Sequence, residues 1–260
     1  MPNNRFSLFP DSPSMRQVFS LQSLRYRWRN GEPVVTSAII VVCVALWIVE
    51  FVLNLVSRPT LAQLLQYGAM QPYRAAHEPW MFVTSMFLHA PTSIFHILFN
   101  MLTLWCVGPF LERLMGHWPY LMLYLIAGVG GGVGMEMWAA FGRDPSGWLT
   151  YSYGASGALF GLFAACLVVY RKAGSDMRSM LVWMAINFAM PLVVPNIAWQ
   201  AHVGGFVFGG LLTLLVVDGP RALRRRSTLA RTAIYGGAVL LLEAVIVVVC
   251  NQSNIYAMAL

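Results

Sequence analysis

The chain has 260 residues, of which 58% are hydrophobic and only 10% are charged. Soluble domains carry about 25% charged residues, so the composition excludes an ordinary soluble protein and indicates a polytopic membrane protein. The formal net charge of +7 would suit nucleic acid, but the distribution of the basic residues argues against that partner. The cysteines lie in or at the end of apolar segments without motif spacing, which predicts buried thiols rather than disulfides or a metal site: Cys43, Cys106, Cys166 and Cys250.

Long apolar segments dominate the chain after a polar N-terminal stretch. Residues 1–33 contain arginine and proline, which predicts a loosely ordered tail, and no signal peptide is recognised. A membrane-spanning helix needs about 20 apolar residues. By that measure seven spans are predicted, at residues 34–56, 93–115, 118–141, 155–170, 179–196, 199–217 and 232–250.

The connections between the spans divide the chain further. The loop 57–92 mixes aromatic and polar residues, as does a partly helical segment that lies at the membrane interface. The connector 218–231 is basic and separates the last span from six tightly joined ones. The predicted fold is therefore an all-α polytopic helical bundle, with a six-helix core at 34–217 and a seventh helix with a short tail at 232–260.

The basic residues predict the orientation of the chain. With the N-terminus in the cytoplasm, fourteen of the seventeen lysines and arginines fall on the inside and three on the outside. The run Arg224-Arg225-Arg226 is then a lipid-headgroup contact. We expect a protein of the cell membrane that binds no nucleic acid.

A serine and a histidine stand near the outer ends of two spans. Ser156 begins the fourth span within Gly154-Ala155-Ser156-Gly157, and His202 lies about four residues into the sixth. Spans 2, 4 and 6 all run inward in this topology, so the two residues are predicted at similar depth. Serine and histidine are the nucleophile and base of acyl-transfer chemistry.

The length of the fourth span predicts water near Ser156. Residues 155–170 form a helix about 24 Å long at about 1.5 Å per residue, whereas the hydrocarbon core is about 30 Å thick. With Arg171 and Lys172 at the cytoplasmic face, Ser156 lies below the outer surface. Irregular backbone at that depth needs protein or water around it. The sequence therefore predicts a water-filled cavity that opens outward.

Two more polar residues are predicted at this depth on the second span. His96 and Asn100 are four residues apart and share a helix face, and both side chains can donate hydrogen bonds. The backbone N–H groups at the start of the fourth span, including that of Ser156, have no partner within their helix. These donors predict an oxyanion hole. No carboxylate that could act as a third catalytic group is evident at this depth, so a Ser–His dyad without metal or cofactor is predicted.

Small residues predict a close contact between the fourth and sixth spans. Gly157-x-x-x-Gly161 and Gly205-x-x-x-Gly209 are small-residue faces of the kind that let membrane helices approach. Each face adjoins its candidate catalytic residue. Close contact there would bring His202 within hydrogen-bond reach of Ser156.

This combination resembles the rhomboid family of intramembrane serine proteases. The matching residues are His96-x-x-x-Asn100, Gly108 with Glu112-Arg113 and Gly116, Gly154-Ala155-Ser156-Gly157, and Ala201-His202 with Gly205 and Gly209, in this order between about residues 67 and 217. The resemblance implies a rhomboid-like six-helix core. It implies that Ser156 is the nucleophile, His202 its base, and that His96, Asn100 and the Ser156 N–H stabilise the oxyanion.

The resemblance has further implications for the site and its substrates. Gly154 would line the site, and Phe160 would lie beneath the catalytic histidine. Members of the family cleave transmembrane helices of other proteins near their outer ends, with small residues preferred before the scissile bond. His89 and His96 are seven residues apart, whereas five is common in the family, which leaves the role of His89 open. The sequence leaves the oligomeric state open as well.

Two other functions are compatible with a polytopic membrane protein of this kind. A catalytically inactive relative that retains transmembrane clients usually lacks the serine or the histidine, and both are present here. A small-solute transporter often has two matched halves, and the sequence contains no such internal repeat. Three further carboxylates lie within spans 1, 3 and 7 and are expected to bond across helices: Glu50, Glu136 and Glu243.

Other motifs have structural interpretations. The glycine run from Gly128 to Gly134 in the third span predicts close helix packing, since it follows no strand and has no lysine. Glu112-Arg113 is expected to form an ion pair or to cap backbone beside the short turn to the third span. His77-Glu78 lacks the second histidine of a zinc-protease helix motif, so no metal is expected there.

The topology is directly testable. A cysteine introduced at residue 20 is expected to be shielded from a membrane-impermeant thiol reagent applied outside, and one at residue 255 is expected to react. The reason is the fourteen-to-three distribution of basic residues together with an odd number of spans. The same labelling after permeabilisation is the control. Two tails on one side of the membrane would contradict the seven-span arrangement.

Overall fold

The computed structural model describes residues 20–142, 144–193 and 197–256. Within these residues the secondary structure is helical apart from one isolated antiparallel bridge between Met70 and Ser152. The predicted all-α polytopic bundle is confirmed. The helices of the described residues are α1 (Leu21–Arg29), α2 (Val34–Val56), α3 (Arg58–Gly68), α4 (Pro72–Ala75), α5 (Met81–Thr84), α6 (Ile94–Met115), α7 (His117–Phe141), α8 (Ser156–Ala173), α9 (Arg178–Val193), α10 (Trp199–Asp218) and α11 (Thr228–Asn251).

Six of these helices are long and apolar enough to cross a membrane: α2, α6, α7, α8, α10 and α11. They match six of the predicted spans to within a few residues. The fifth predicted span, 179–196, corresponds to α9, whose 16 residues give a length of about 24 Å, shorter than the roughly 30 Å hydrocarbon core. Residues 194–196 of that prediction lie outside the described residues.

Two connecting segments are more ordered than a plain loop or tail. The predicted partly helical loop 57–92 contains α3, α4 and α5. The N-terminal segment was expected to be loosely ordered, but residues 21–29 of it form α1, and Trp28 stacks on His117 with ring centroids 4.0 Å apart. That expectation is therefore wrong for α1, because an aromatic contact fixes it to the bundle. Residues 1–19 lie outside the described part of the chain.

The centre of the bundle is formed by α7, α8 and α10, which pack against one another along most of their length. Helices α2 and α6 cover one side of this group, and α11 packs against α7 and α10 on another. The outward faces of α2 and α11 carry exposed apolar side chains that suit contact with lipid, including Val41, Val52, Val245 and Val248.

Glu112 of α6 caps the first membrane helix. Its carboxylate accepts hydrogen bonds from the backbone N–H groups of Val35 and Thr36, both at 2.8 Å, and from the Thr36 hydroxyl at 2.7 Å. Free N–H groups and the positive dipole end at a helix start favour a carboxylate. The prediction of a backbone cap is correct, but the capped helix is α2. His117, the first residue of α7, is a further partner of Glu112 at 2.6 Å.

The three remaining buried carboxylates differ from one another. Glu50 of α2 bonds outside its own helix, since its Oε2 accepts from the His89 backbone N–H at 3.0 Å. Glu136 and Glu243 are buried, and neither carboxylate has a hydrogen-bond partner within the described residues. The expectation that these two bond across helices is therefore wrong. Their burial follows from their positions on the faces where α7 and α11 pack into the bundle.

Helix α11, which corresponds to the seventh predicted span, is attached to the bundle at both ends. At its start, Arg231 donates to the carbonyl oxygen of Val216 at 2.8 Å. Beyond its end, the Asn254 amide donates to the carbonyl oxygen of Tyr73 at 2.9 Å, and Tyr256 makes an edge contact with the Tyr73 ring. These contacts tie α11 to α10 and to the segment between α2 and α6.

Glycines set the distance between the central helices. A Cβ atom placed at Gly205 would overlap the carbonyl oxygen of Gly157, and one placed at Gly209 would lie 2.5 Å from the Gly161 Cα. The glycine run of α7 packs closely too, as predicted, because a Cβ at Gly134 would overlap the Gln200 carbonyl oxygen of α10. The backbones of α7, α8 and α10 therefore touch directly.

Replacing Gly209 by leucine is expected to destabilise the bundle. Overfilling a close-packed site commonly costs about 1–3 kcal/mol, and here the added atoms would meet backbone rather than flexible side chains. The measurement is thermal unfolding in detergent. Gly237→Leu is the matched control, since Gly237 lies in a membrane helix and a Cβ there meets nothing within 4 Å. Equal unfolding temperatures for both variants would show that Gly209 does not lie in a tight contact.

Candidate active site

Ser156 and His202 meet where two central helices begin. Ser156 is the first residue of α8, and His202 lies one turn into α10, which starts at Trp199. The distance between Ser156 Oγ and His202 Nε2 is 3.0 Å, although the residues are 46 positions apart in sequence. The direct backbone contact of α8 and α10 makes this approach possible, since neither side chain is long.

The surroundings of His202 fix its ring. Phe160, one turn into α8, stacks on the imidazole with ring centroids 4.2 Å apart and planes 18° apart. The ring is buried, and its Nδ1 has no hydrogen-bond partner among the described residues. When Nε2 accepts a hydrogen bond from the Ser156 hydroxyl, the proton of the neutral ring lies on Nδ1. No carboxylate contacts that atom within the described chain.

His96 approaches the same place from α6. The Ala90 backbone N–H donates to His96 Nδ1 at 3.1 Å. A backbone N–H can only donate, so Nδ1 is the acceptor nitrogen and the proton of the neutral ring lies on Nε2. That nitrogen faces Gly154, where an added Cβ would lie 2.8 Å from it. The His96 N–H is thereby directed at the loop that leads to Ser156.

Asn100 lies one turn further along α6 and is buried. Its amide nitrogen donates to the carbonyl oxygen of His96 at 2.8 Å, which occupies one of its two hydrogens. No hydrogen bond joins Asn100 to Ser156 or His202 in the described structure. Asn100 therefore supports the α6 backbone beneath His96 and keeps a second N–H available.

The loop before Ser156 is held by the segment between α2 and α6. Met70 and Ser152 exchange two backbone hydrogen bonds, at 2.8 and 2.9 Å, and the Gly154 N–H donates to the Ser85 carbonyl oxygen at 2.8 Å. Gly154 has a φ of +137°, a conformation that side chains disfavour. The absence of a side chain at Gly154 thus permits both the backbone turn and the close approach of His96.

His89, whose role the sequence leaves open, lies beside His96 and the loop that leads to Ser156. Its ring is fully buried, with its centroid 5.3 Å from that of His96, and its Nε2 accepts from the Ala155 N–H at 3.4 Å. Burial lowers its pKa to about 3, so the ring is neutral at physiological pH. The available signal in the sequence is a second histidine seven residues before His96.

A cavity adjoins Ser156 at the head of α8. Its lining includes several small residues next to the serine, namely Ser85, Gly131, Gly154, Gly157 and Ala201. Gly161, Gly205 and Gly209 lie deeper, in the helix contact rather than at the cavity. The structure thus brings together Ser156, His202, Phe160, His96 and Gly154, with Asn100 behind His96.

Comparison with known proteins identifies the family. The family model described as the Rhomboid domain matches residues 76–219. This match includes the candidate residues of α6, α8 and α10 in one domain. The chain belongs to the rhomboid family.

Curated relatives of this rhomboid come from several kingdoms. Rhomboid-type serine protease 2 of Emericella nidulans is 33% identical over 180 residues, which is 65% of this chain and 34% of that protein. RHOMBOID-like protein 1 of Arabidopsis thaliana is 34% identical over 152 residues, 56% of this chain and 36% of that protein. Rhomboid protease GluP of Bacillus subtilis is 30% identical over 205 residues, 75% and 37% respectively. The chain thus spans little more than a third of these relatives.

The contact between Ser156 and His202 predicts a reactive serine in this rhomboid. A fluorophosphonate probe is expected to label Ser156, because a neutral histidine within 3.0 Å can take the hydroxyl proton. Ser156→Ala should abolish labelling, and His202→Ala should slow it strongly. Ser146→Ala is the control, since Ser146 is exposed and contacts Asp144 instead of a histidine. Peptide mapping of the adduct to any other serine would contradict the assignment.

Proposed function

We propose that this rhomboid is an intramembrane serine endopeptidase that hydrolyses peptide bonds in transmembrane segments of other membrane proteins. The observation that carries the proposal is the 3.0 Å contact between Ser156 Oγ and His202 Nε2 at the ends of two apolar helices. The names of two of the relatives, as serine protease and as rhomboid protease, support it. Residues 34–217 would carry the machinery.

In the first step His202 acts as general base. Its Nε2 takes the Ser156 hydroxyl proton while Oγ attacks the carbonyl carbon of the scissile peptide. The tetrahedral intermediate then breaks its C–N bond, and Nε2 returns the proton to the leaving amine. The product is an ester between Ser156 and the N-terminal part of the substrate.

In the second step a water molecule replaces the amine. His202 takes a proton from the water, whose oxygen attacks the ester carbon, and the breakdown of the intermediate returns the proton to Ser156 Oγ. No carboxylate supports His202 among the described residues, so stacking on Phe160 holds the ring in its place. The reaction is therefore that of a Ser–His dyad.

Three donors near Ser156 are proposed to stabilise the negative oxygen of the intermediate. They are the His96 Nε2–H, the free amide hydrogen of Asn100 and the backbone N–H of Ser156 at the start of α8. Preorganised donors of this kind act in a site of low dielectric and account for a large part of catalysis in acyl transfer. The tautomer of His96 supports its part, since its proton lies on the nitrogen that faces the site.

The distribution of basic residues supports a reaction at the outer side of the cell membrane. Ser156 begins an inward-running helix in the arrangement favoured by the basic residues, so the cavity above it opens to the extracytoplasmic side. The connector 218–231 then lies at the cytoplasmic face, where its arginines contact lipid headgroups. The cavity is also lined by the larger side chains of Met70, Met86, Met135 and Tyr153, which leave space for only a small substrate side chain beside the scissile bond.

The decisive test of the proposal compares shed ectodomains. Cells that express the wild type and cells that express Ser156→Ala are analysed by proteomics of the medium. Membrane proteins cut near their outer ends should be released only by the wild type. Release that continues in Ser156→Ala cells at the wild-type level would refute a serine-dependent mechanism.

The roles within the site predict different magnitudes in purified variants. Ser156→Ala should abolish cleavage, and His202→Ala should be nearly as severe, since loss of either partner costs on the order of 10⁶ in a soluble serine protease. His96→Ala and Asn100→Ala should each lower kcat by about 10²–10³, because each removes one of several oxyanion donors. Cleavage of a model transmembrane substrate in detergent is measured, with thermal unfolding as the control. An Asn100→Ala variant that is folded, labels normally and is as inactive as Ser156→Ala would contradict the oxyanion assignment.

A further inference from the structure

Two side chains of α2 reach the loop between α5 and α6. Trp47 and Glu50 are three residues apart and lie on one face of the helix. The Glu50 Oε2 accepts from the His89 N–H at 3.0 Å, and the Trp47 indole N–H donates to the Ala90 carbonyl oxygen at 3.1 Å. Together they hold two consecutive residues of the loop, one through its N–H and the other through its C=O.

The carboxylate of Glu50 has no other described function in the molecule. Its side chain is fully buried in an apolar helix, and its second oxygen has no hydrogen-bond partner among the described residues. A carboxyl group within a membrane helix is unfavourable and is commonly retained for function. Its one polar contact, with the His89 backbone, therefore indicates its role.

The loop held by α2 contains the group that orients His96. Ala90 directs its C=O at Trp47 and its N–H at His96 Nδ1. The preceding residue, His89, is fixed on its other side as well, because its Nε2 accepts from the Ala155 N–H and its Nδ1 contacts the Phe87 carbonyl oxygen at 3.2 Å. Movement of the 89–90 segment would withdraw the Ala90 N–H from the His96 ring.

That N–H decides which nitrogen of His96 carries the proton. While the Ala90 N–H occupies Nδ1, the neutral ring must be protonated on Nε2, next to Gly154 and Ser156. Without it, the ring can take the other tautomer, in which Nε2 is an acceptor and repels a negative oxygen. The presence of this single hydrogen bond therefore decides whether His96 Nε2 donates a hydrogen bond to the oxyanion or repels it.

We propose that Trp47 and Glu50 are positioning residues that act through Ala90 to keep His96 in its Nε2–H tautomer. The inference rests on the proposed function, because it assigns His96 as an oxyanion donor. Neither α2 residue touches the reacting atoms. Their effect on catalysis is transmitted by two backbone hydrogen bonds and one imidazole.

The test is a double-mutant cycle on purified protein with a model transmembrane substrate. Glu50→Leu removes the acceptor and should lower kcat by about tenfold or more, up to the 10²–10³ expected for loss of one oxyanion donor, with little change in KM. In a His96→Ala background the same change should have no further effect on kcat. Glu50→Gln keeps an oxygen acceptor for the His89 N–H and should retain most of the activity. Trp47→Phe should act in the same direction as Glu50→Leu.

A matched control separates this effect from the general loss of a buried carboxyl. Glu243→Leu removes a carboxyl that is equally buried but has no hydrogen-bond partner in the described residues, and it should leave kcat unchanged. If Glu50→Leu lowers kcat as much in the His96→Ala background as in the wild type, the proposal is overturned, since the effect would not pass through His96. Trp47→Phe provides the same cycle if Glu50→Leu does not fold.

A second measurement does not depend on activity. Nitrogen-15 NMR of histidine-labelled protein in detergent distinguishes a protonated from an unprotonated ring nitrogen, and His96→Ala identifies the His96 signals. The wild type should show protonated Nε2, and Glu50→Leu should show a mixture or the other tautomer. An unchanged tautomer in Glu50→Leu and Trp47→Phe would overturn the positioning role. A wild type with the expected tautomer but without cleavage or fluorophosphonate labelling would instead refute the proposed function.

Discussion

The direct backbone contact between α8 and α10 is the constraint on which the site depends. Serine and histidine side chains are short, so a 3.0 Å approach of Oγ to Nε2 requires helix axes closer than ordinary side chains permit. Gly157 and Gly205, with Gly161 and Gly209 a turn deeper, supply that closeness. Glycine weakens an isolated helix by about 1 kcal/mol, but in lipid the packing of small faces is what holds helices together. The same residues therefore serve stability and catalytic geometry.

A second constraint is the pair of carboxylate contacts that hold α6 and the loop before it against α2. Helix α2 carries none of the candidate catalytic residues, yet it is bound near both ends. At its start, Glu112 of α6 caps the N–H groups of Val35 and Thr36. Towards its other end, its own Glu50 holds the loop that leads into α6. One carboxylate contact thus joins α6 to α2 and the other joins α2 to the loop before α6, so α6, which carries His96 and Asn100, is fixed relative to α2 at two separate places.

The four buried glutamates show that burial alone does not define a role. Glu112 and Glu50 each accept backbone N–H bonds at places where a helix or a loop would otherwise leave them free. Glu136 and Glu243 are equally buried but make no hydrogen bond in the described residues. From the sequence Glu50, Glu136 and Glu243 are isolated acids in apolar segments, and Glu112 differs from them in being followed by Arg113. What separates them is whether a backbone donor from another element lies opposite, and that depends on how the helices pack.

The sequence by itself determined the helical architecture and the main candidate site residues. Hydropathy located six spans that the structure reproduces, because a helix in lipid must satisfy its own backbone and be long enough to cross. The serine and histidine at the heads of two spans, and the small-residue faces beside them, were visible because they follow helical spacing. Only the tertiary structure decided the place of His89, the tautomer of His96, the helix that Glu112 caps and the contact of Glu50. Each of these depends on a hydrogen bond with a backbone group. For His89, Glu112 and Glu50 the backbone group lies in an element far along the chain, and for His96 it is that of Ala90, six residues away. A backbone N–H or C=O leaves no trace in the order of the side chains.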